Sequence, residues 1–131
     1  MEPVDKKMLL KNDFLRKENE LYLNFINSGE KIETNKFMCK TLKEVNEGCA
    51  MITEWVYQKC IDQLNKGKKV GLLGGDHSIA FGFIKALAEK HENFGILQID
   101  AHCDLRKSYE GLDHSHGSIM YNVLNSFPNV T

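Results

Sequence analysis

Three potential metal ligands, Asp100, His102 and Asp104, occupy alternate positions directly after the apolar run Phe94-Gly95-Ile96-Leu97-Gln98-Ile99. Few patterns restrict a backbone more. In an extended chain, residues i, i+2 and i+4 share one face. A helix would bring Asp100 and Asp104 together and turn His102 away. The apolar run reads as a buried strand, so the spacing predicts the extended form, with all three side chains meeting at one point. The carboxyl end of a strand is where an open α/β sheet places its chemistry.

The upstream sequence supplies the rest of such a sheet. Lys69-Val70-Gly71-Leu72-Leu73 predicts a second short buried strand, closed by the turn Gly74-Gly75-Asp76-His77-Ser78. The two glycines are expected to permit a backbone bend that bulkier residues resist. An amphipathic helix follows, using Ala80, Phe83, Ile84, Leu87 and Ala88. Strand, helix, strand implies a right-handed crossover and a parallel sheet. Before it, Leu42, Val45, Cys49, Ile52, Val56 and Cys60 recur at helical spacing, which predicts a helix over 41–66. Thr41 and Glu44 suit a capping box at its start, and Gly67 suits the position just past its end. Residues 1–40 are charged and weakly periodic. Within them only Glu20–Ile26 reads as an element, a strand or a short helix, before the turn Asn27-Ser28-Gly29. A short helix is expected near Ser118–Leu124. The organisation is therefore an N-terminal segment of unassigned structure, 1–40, and an α/β domain over 41–131.

Bulk properties narrow the function. The 131 residues carry 17 basic and 18 acidic side chains, a net charge of -1 that gives no reason to expect nucleic acid or a membrane surface as partner. No apolar run approaches the roughly 18 residues of a membrane span. The start, Met1–Lys7, does not read as a signal peptide, so a cytoplasmic location is expected. Of Cys39, Cys49, Cys60 and Cys103, no two form a C-x-x-C pair. Thiols are expected at all four, with Cys49, Cys60 and Cys103 read as packing residues.

His77 closes the first predicted strand, and Asp100–Asp104 the second. In a strand–helix–strand unit both ends lie on the same sheet edge, so His77 is expected to join Asp100, His102 and Asp104. Imidazole with carboxylates suits manganese, zinc or iron(II), and the lack of facing cysteines disfavours a structural zinc site. A carboxylate that bridges two cations is the device of two-metal hydrolases. His116 is a weaker candidate, and His114 reads as a loop residue. A metallophosphoesterase would place its D-x-H first and add an Asn-His pair; here Gly-Gly-Asp-His comes first and no Asn-His pair exists.

Gly74-Gly75-Asp76-His77-Ser78, Asp100-Ala101-His102-Cys103-Asp104 and Ser115-His116-Gly117, in that order, resemble the manganese-dependent ureohydrolases: agmatinase, arginase and formiminoglutamase. The resemblance covers about residues 65–125. It implies a three-layer αβα fold around a parallel sheet and two Mn2+ per active site. His77 and Asp104 would bind one ion, His102 the other, and Asp100 would bridge both. It further implies that His116 transfers protons near the substrate, that Asp104 orients the attacking hydroxide, and that Arg106 contacts substrate. Asp104-Leu105-Arg106, Tyr109-Glu110-Gly111 and Ser115-His116 are most similar to agmatinase-type sequences. The implied reaction is hydrolysis of a guanidino compound by a binuclear metal-activated hydroxide, agmatine giving putrescine and urea, as in polyamine biosynthesis. Arginase or formiminoglutamase is the alternative within the family. The family's trimers and hexamers make a homo-oligomer an expectation of the same kind.

One family motif, S-x-D-x-D-x-x-D-P, is absent, and no aspartate follows Asp113. The chain therefore reads as a fragment truncated on the C-terminal side of the fold, holding half of a binuclear centre and inactive alone. A non-catalytic metal-binding fragment is the reading from another class.

Overall fold

A computed structural model describes residues 4–131. The described residues form helices α1 (Lys6–Asn27), α2 (Lys36–Asn65), α3 (Ala80–Lys90) and α4 (Ile119–Ser126), with short 3-10 turns at Ile32–Thr34, His77–Ile79 and His116–Ser118. They divide into two compact units, 4–52 with 110–112 and 53–109 with 113–131.

In the first unit, α1 is far longer than the strand or short helix expected at Glu20–Ile26. Asp5 caps it by accepting the Lys7 N–H at 3.0 Å. Its buried face is the narrow series Leu15, Tyr22 and Phe25, whereas Leu10, Phe14 and Leu21 are exposed. Apolar residues on both faces blur the 3.6-residue period. The chain leaves α1 through Ser28 and Gly29, the glycine at φ 82°. Helix α2 starts five residues before the predicted capping box. Asn35 supplies the cap, its Oδ1 accepting from Phe37 and Met38 N–H at 3.1 Å each. Thr41 is instead buried inside the helix. Tyr22 Oη donates to the Glu110 carbonyl at 2.6 Å, and Asn46 Nδ2 to the Gly111 carbonyl at 3.0 Å.

In the second unit, α3 lies between two apolar clusters. Ala86 meets Val56, Cys60 and Ile61 of α2, while Ile84 meets Ile119 and Val123 of α4 together with Val130. Gly82 makes the α2–α3 approach feasible: a Cβ there would stand 2.5 Å from the Thr53 carbonyl oxygen and 2.9 Å from Tyr57 N. As predicted, Gly67 ends α2, at φ 71° with its N–H on the Leu64 carbonyl.

The predicted strands differ from the structure. Among the described residues no strand forms, and β-pairing is limited to isolated bridges, one of them parallel between Phe94 and Val130. Phe94 N donates to Asn129 O at 3.1 Å, and Ile96 N to Thr131 O at 2.8 Å. Residues 69–73 and 97–99 run without sheet pairing, and Leu73, Leu97 and Ile99 are 87%, 87% and 93% exposed. Strands of a parallel sheet pair with neighbours and are covered on both faces. These segments have the composition of buried strands without that cover.

Candidate metal centre

All the predicted site residues lie in the second unit. His77 opens a 3-10 turn that Asp76 caps, its Oδ1 accepting the Ser78 N–H at 2.9 Å. The chain bends at Gly75 and Asp76 as expected, though neither Gly74 nor Gly75 takes a left-handed φ. Gly74 instead gives room to Ile79, whose Cδ1 would lie 2.4 Å from an added Cβ.

Asp104 takes a left-handed backbone, φ 50°. That conformation is uncommon outside glycine, and Asp and Asn adopt it most readily among the others. Its carbonyl accepts the N–H groups of Met120 and Tyr121 at 3.1 and 3.2 Å. These first-turn amides of α4 have no partner within the helix. Capping α4 from outside thus fixes the Asp104 backbone, and its side chain is only 8% exposed. The 3-10 turns at His77 and His116 pack side by side.

The outcome is a convergence of three groups. His77 Nδ1 stands 2.8 Å from Asp104 Oδ2 and 3.3 Å from Asp100 Oδ2. One ligand atom from each of the three residues lies within 4.8 Å of the others. An imidazole nitrogen with two carboxylate oxygens is a donor set that fits a borderline divalent cation.

His102 is not brought into this group. Its Nδ1 lies 3.7 Å from Asp100 Oδ1, and its side chain is 81% exposed. The cause is local. Asp100 Oδ1 accepts the His102 N–H at 2.9 Å, an Asx turn that bends the backbone where alternation required it extended. The same N–H holds the Asp100 carboxyl below the ordinary carboxylate range, helped by Gln98 and the two imidazoles and partly opposed by desolvation.

Arg106 and His116 are exposed. The Arg106 guanidinium carbon sits 4.7 Å from the centre of the Tyr109 ring, and the Tyr109 and His116 rings are 5.9 Å apart, inclined by 51°. Tyr109, quoted in the sequence only as part of a motif, thus occupies a place that spacing gave no means to assign. His114 lies half-buried with its ring edge-on to Phe81, and burial lowers its pKa. Cys60 is in the core as expected, but Cys103 is exposed rather than packed. An open cavity of about 320 Å³, walled by Leu72, Ile79 and Phe83, adjoins His77. No helix is long and apolar enough to cross a membrane among the described residues.

A histidine and two carboxylates, set by a capped turn and a helix-capping loop, form a candidate N/O-donor metal site. The chain belongs to the arginase family, whose model matches residues 16–129. That family is α/β, while the described residues are mostly helical. Over 94 residues the chain is 36% identical to an N(1)-aminopropylagmatine ureohydrolase of Synechocystis sp., covering 67% of this chain and 30% of that protein. It is 41% identical over 68 residues to an agmatinase of Bacillus anthracis, covering 52% and 22%. An agmatinase of Bacillus subtilis is 42% identical over 55 residues, covering 42% and 19%. The chain thus spans less than a third of the length of these relatives. No solved structure matches it significantly.

Proposed function

We propose that this chain carries the metal-holding loops of a manganese-dependent ureohydrolase whose substrate is a linear guanidino compound, agmatine foremost. The observation that carries this reading is the convergence of His77, Asp100 and Asp104 in a chain of the arginase family. His77, Asp100 and Asp104 would hold Mn2+, with His102 as a further ligand after a turn of its exposed ring. A bound divalent ion would supply Lewis acidity at the reacting water. The His102 N–H favours the anionic form of Asp100, the form that binds a cation. Asp104 accepts a hydrogen bond from the attacking water and orients it. His116 delivers a proton to the leaving nitrogen. Overall, one water adds across the guanidinium C–N bond: its oxygen ends on urea and both its protons on the amine of putrescine. The apolar cavity beside His77 suits the methylene arm of such a substrate. Four cysteines held as thiols suit a reducing, cytoplasmic compartment.

Four side chains are few for two ions, so this chain alone is expected to bind Mn2+ weakly and to release no urea. Mn2+ uptake, measured beside urea release from agmatine and from arginine, tests each part. His77→Ala should abolish most of the uptake, and unchanged uptake would remove the site. Any urea release would overturn the expected inactivity, and a preference for arginine would overturn the substrate.

A further inference from the structure

Arg106 stands two positions after Asp104 in the sequence, a separation that a side chain as long as arginine's can span. A guanidinium is planar, always charged and shaped to grip carboxylates with two parallel N–H groups. Left free, this side chain is a built-in competitor for the ligand oxygens. It is not free. The Arg106 backbone N–H donates to the Gly117 carbonyl at 3.1 Å, which anchors the base of the side chain. Its Cδ and Tyr109 Cδ2 both approach Gly117, at 3.9 and 4.0 Å from where a Cβ would stand. Its guanidinium lies over the Tyr109 ring at 4.7 Å, and it forms no ion pair among the described residues.

We propose that Tyr109 is a positioning residue that holds the Arg106 cation on its ring face, away from the Asp100 and Asp104 carboxylates, and so keeps those oxygens available to a metal ion. Stacking on an aromatic face satisfies a guanidinium without an anion. The half-buried ring is well placed for this task, because its other neighbour, His116, steadies it from the side. The ring face does the holding, and the phenol oxygen has no part in it. The inference rests on the metal site proposed above.

The test is a double-mutant cycle read by Mn2+ affinity of the whole chain, with the amide spectrum and thermal midpoint as fold controls. Tyr109→Phe keeps the ring face and should bind Mn2+ within about twofold of the parent chain. Tyr109→Leu should bind about fivefold more weakly, and Tyr109→Leu/Arg106→Gln should recover the lost affinity. A Tyr109→Leu chain with parental affinity, or a double variant as weak as Tyr109→Leu, would overturn the proposal. If the parent chain takes up no Mn2+, the metal site itself falls, and a second readout still decides the placement of Arg106. The Arg106 Hδ protons should be shifted upfield by the ring current in the parent and Tyr109→Phe chains but not in Tyr109→Leu. Equal shifts in all three would refute the stacked placement.

Discussion

Asp104 carries two duties, and substitution separates them. Its carboxylate faces His77 at 2.8 Å, while its left-handed backbone places the carbonyl that caps α4. Asn tolerates that backbone nearly as well as Asp but brings no charge. Asp104→Asn is therefore expected to lose Mn2+ affinity about tenfold or more, with stability changed by no more than about 0.5 kcal/mol. Asp104→Val should cost a further 1–2 kcal/mol or so, because a β-branched residue resists positive φ. Paired metal titration and urea denaturation check both. His114 gives a pH test. Burial lowers its pKa from the ordinary value of 6.5, so in acid the unfolded chain binds the proton more readily. Its contribution to stability is whole above pH 6.5 and is lost as pH falls through the lower folded value. Denaturation midpoints across that window should slope less in His114→Phe, and parallel slopes would reject the assignment. The convergence of His77 with Asp100 and Asp104 was legible in the sequence because both segments follow apolar runs that point to one edge. The outward place of His102 was not, since an Asx turn depends on one hydrogen bond that alternation does not encode.

At the scale of elements, closeness of backbones outweighs intrinsic preference. Ala is favoured over Gly in a helix by about 1 kcal/mol. Gly82→Ala should nonetheless destabilise, since the added Cβ would meet Thr53 O at 2.5 Å and Tyr57 N at 2.9 Å, both backbone atoms of α2 that cannot rotate away. A net loss of about 1–2 kcal/mol is expected, with Gly75→Ala, which meets nothing within 4 Å, near neutral as the control. A melting comparison in which Gly82→Ala is the more stable would reject this packing. The α2 stripe was readable because that helix buries a continuous face through Val56, Cys60 and Ile61, whereas α3 buries Ala86 against one cluster and Ile84 against another. Helix α1 was not, because it buries only Leu15, Tyr22 and Phe25 among apolar residues that stay exposed. The α2 start was missed for a similar reason. Asn35 caps without the reciprocal Glu or Gln that makes a capping box visible.

For the molecule as a whole, the segments that read as strands carry the largest unspent driving force. Leu73, Leu97 and Ile99 stand almost wholly in solvent. Covering each would return about 1.5–3 kcal/mol. Unpaired, apolar segments of this kind recruit other chains edge to edge. The parallel bridge, Phe94 with Val130, shows that the neighbouring backbone already accepts a partner in the register a sheet requires. The chain is therefore expected to self-associate as its concentration rises. A charge placed where the apolar side chain now sits should oppose this, because burying an unpaired ammonium costs more than the leucine returned. Leu73→Lys/Leu97→Lys is expected to shift the chain toward monomer in sedimentation velocity across micromolar concentrations. It should leave the thermal midpoint nearly unchanged, since these exposed side chains contribute little to the folded core. Concentration-independent monomer in the parent chain would sink the idea. So would association that survives both lysines, which would point instead to the apolar face Leu10, Phe14 and Leu21 of α1.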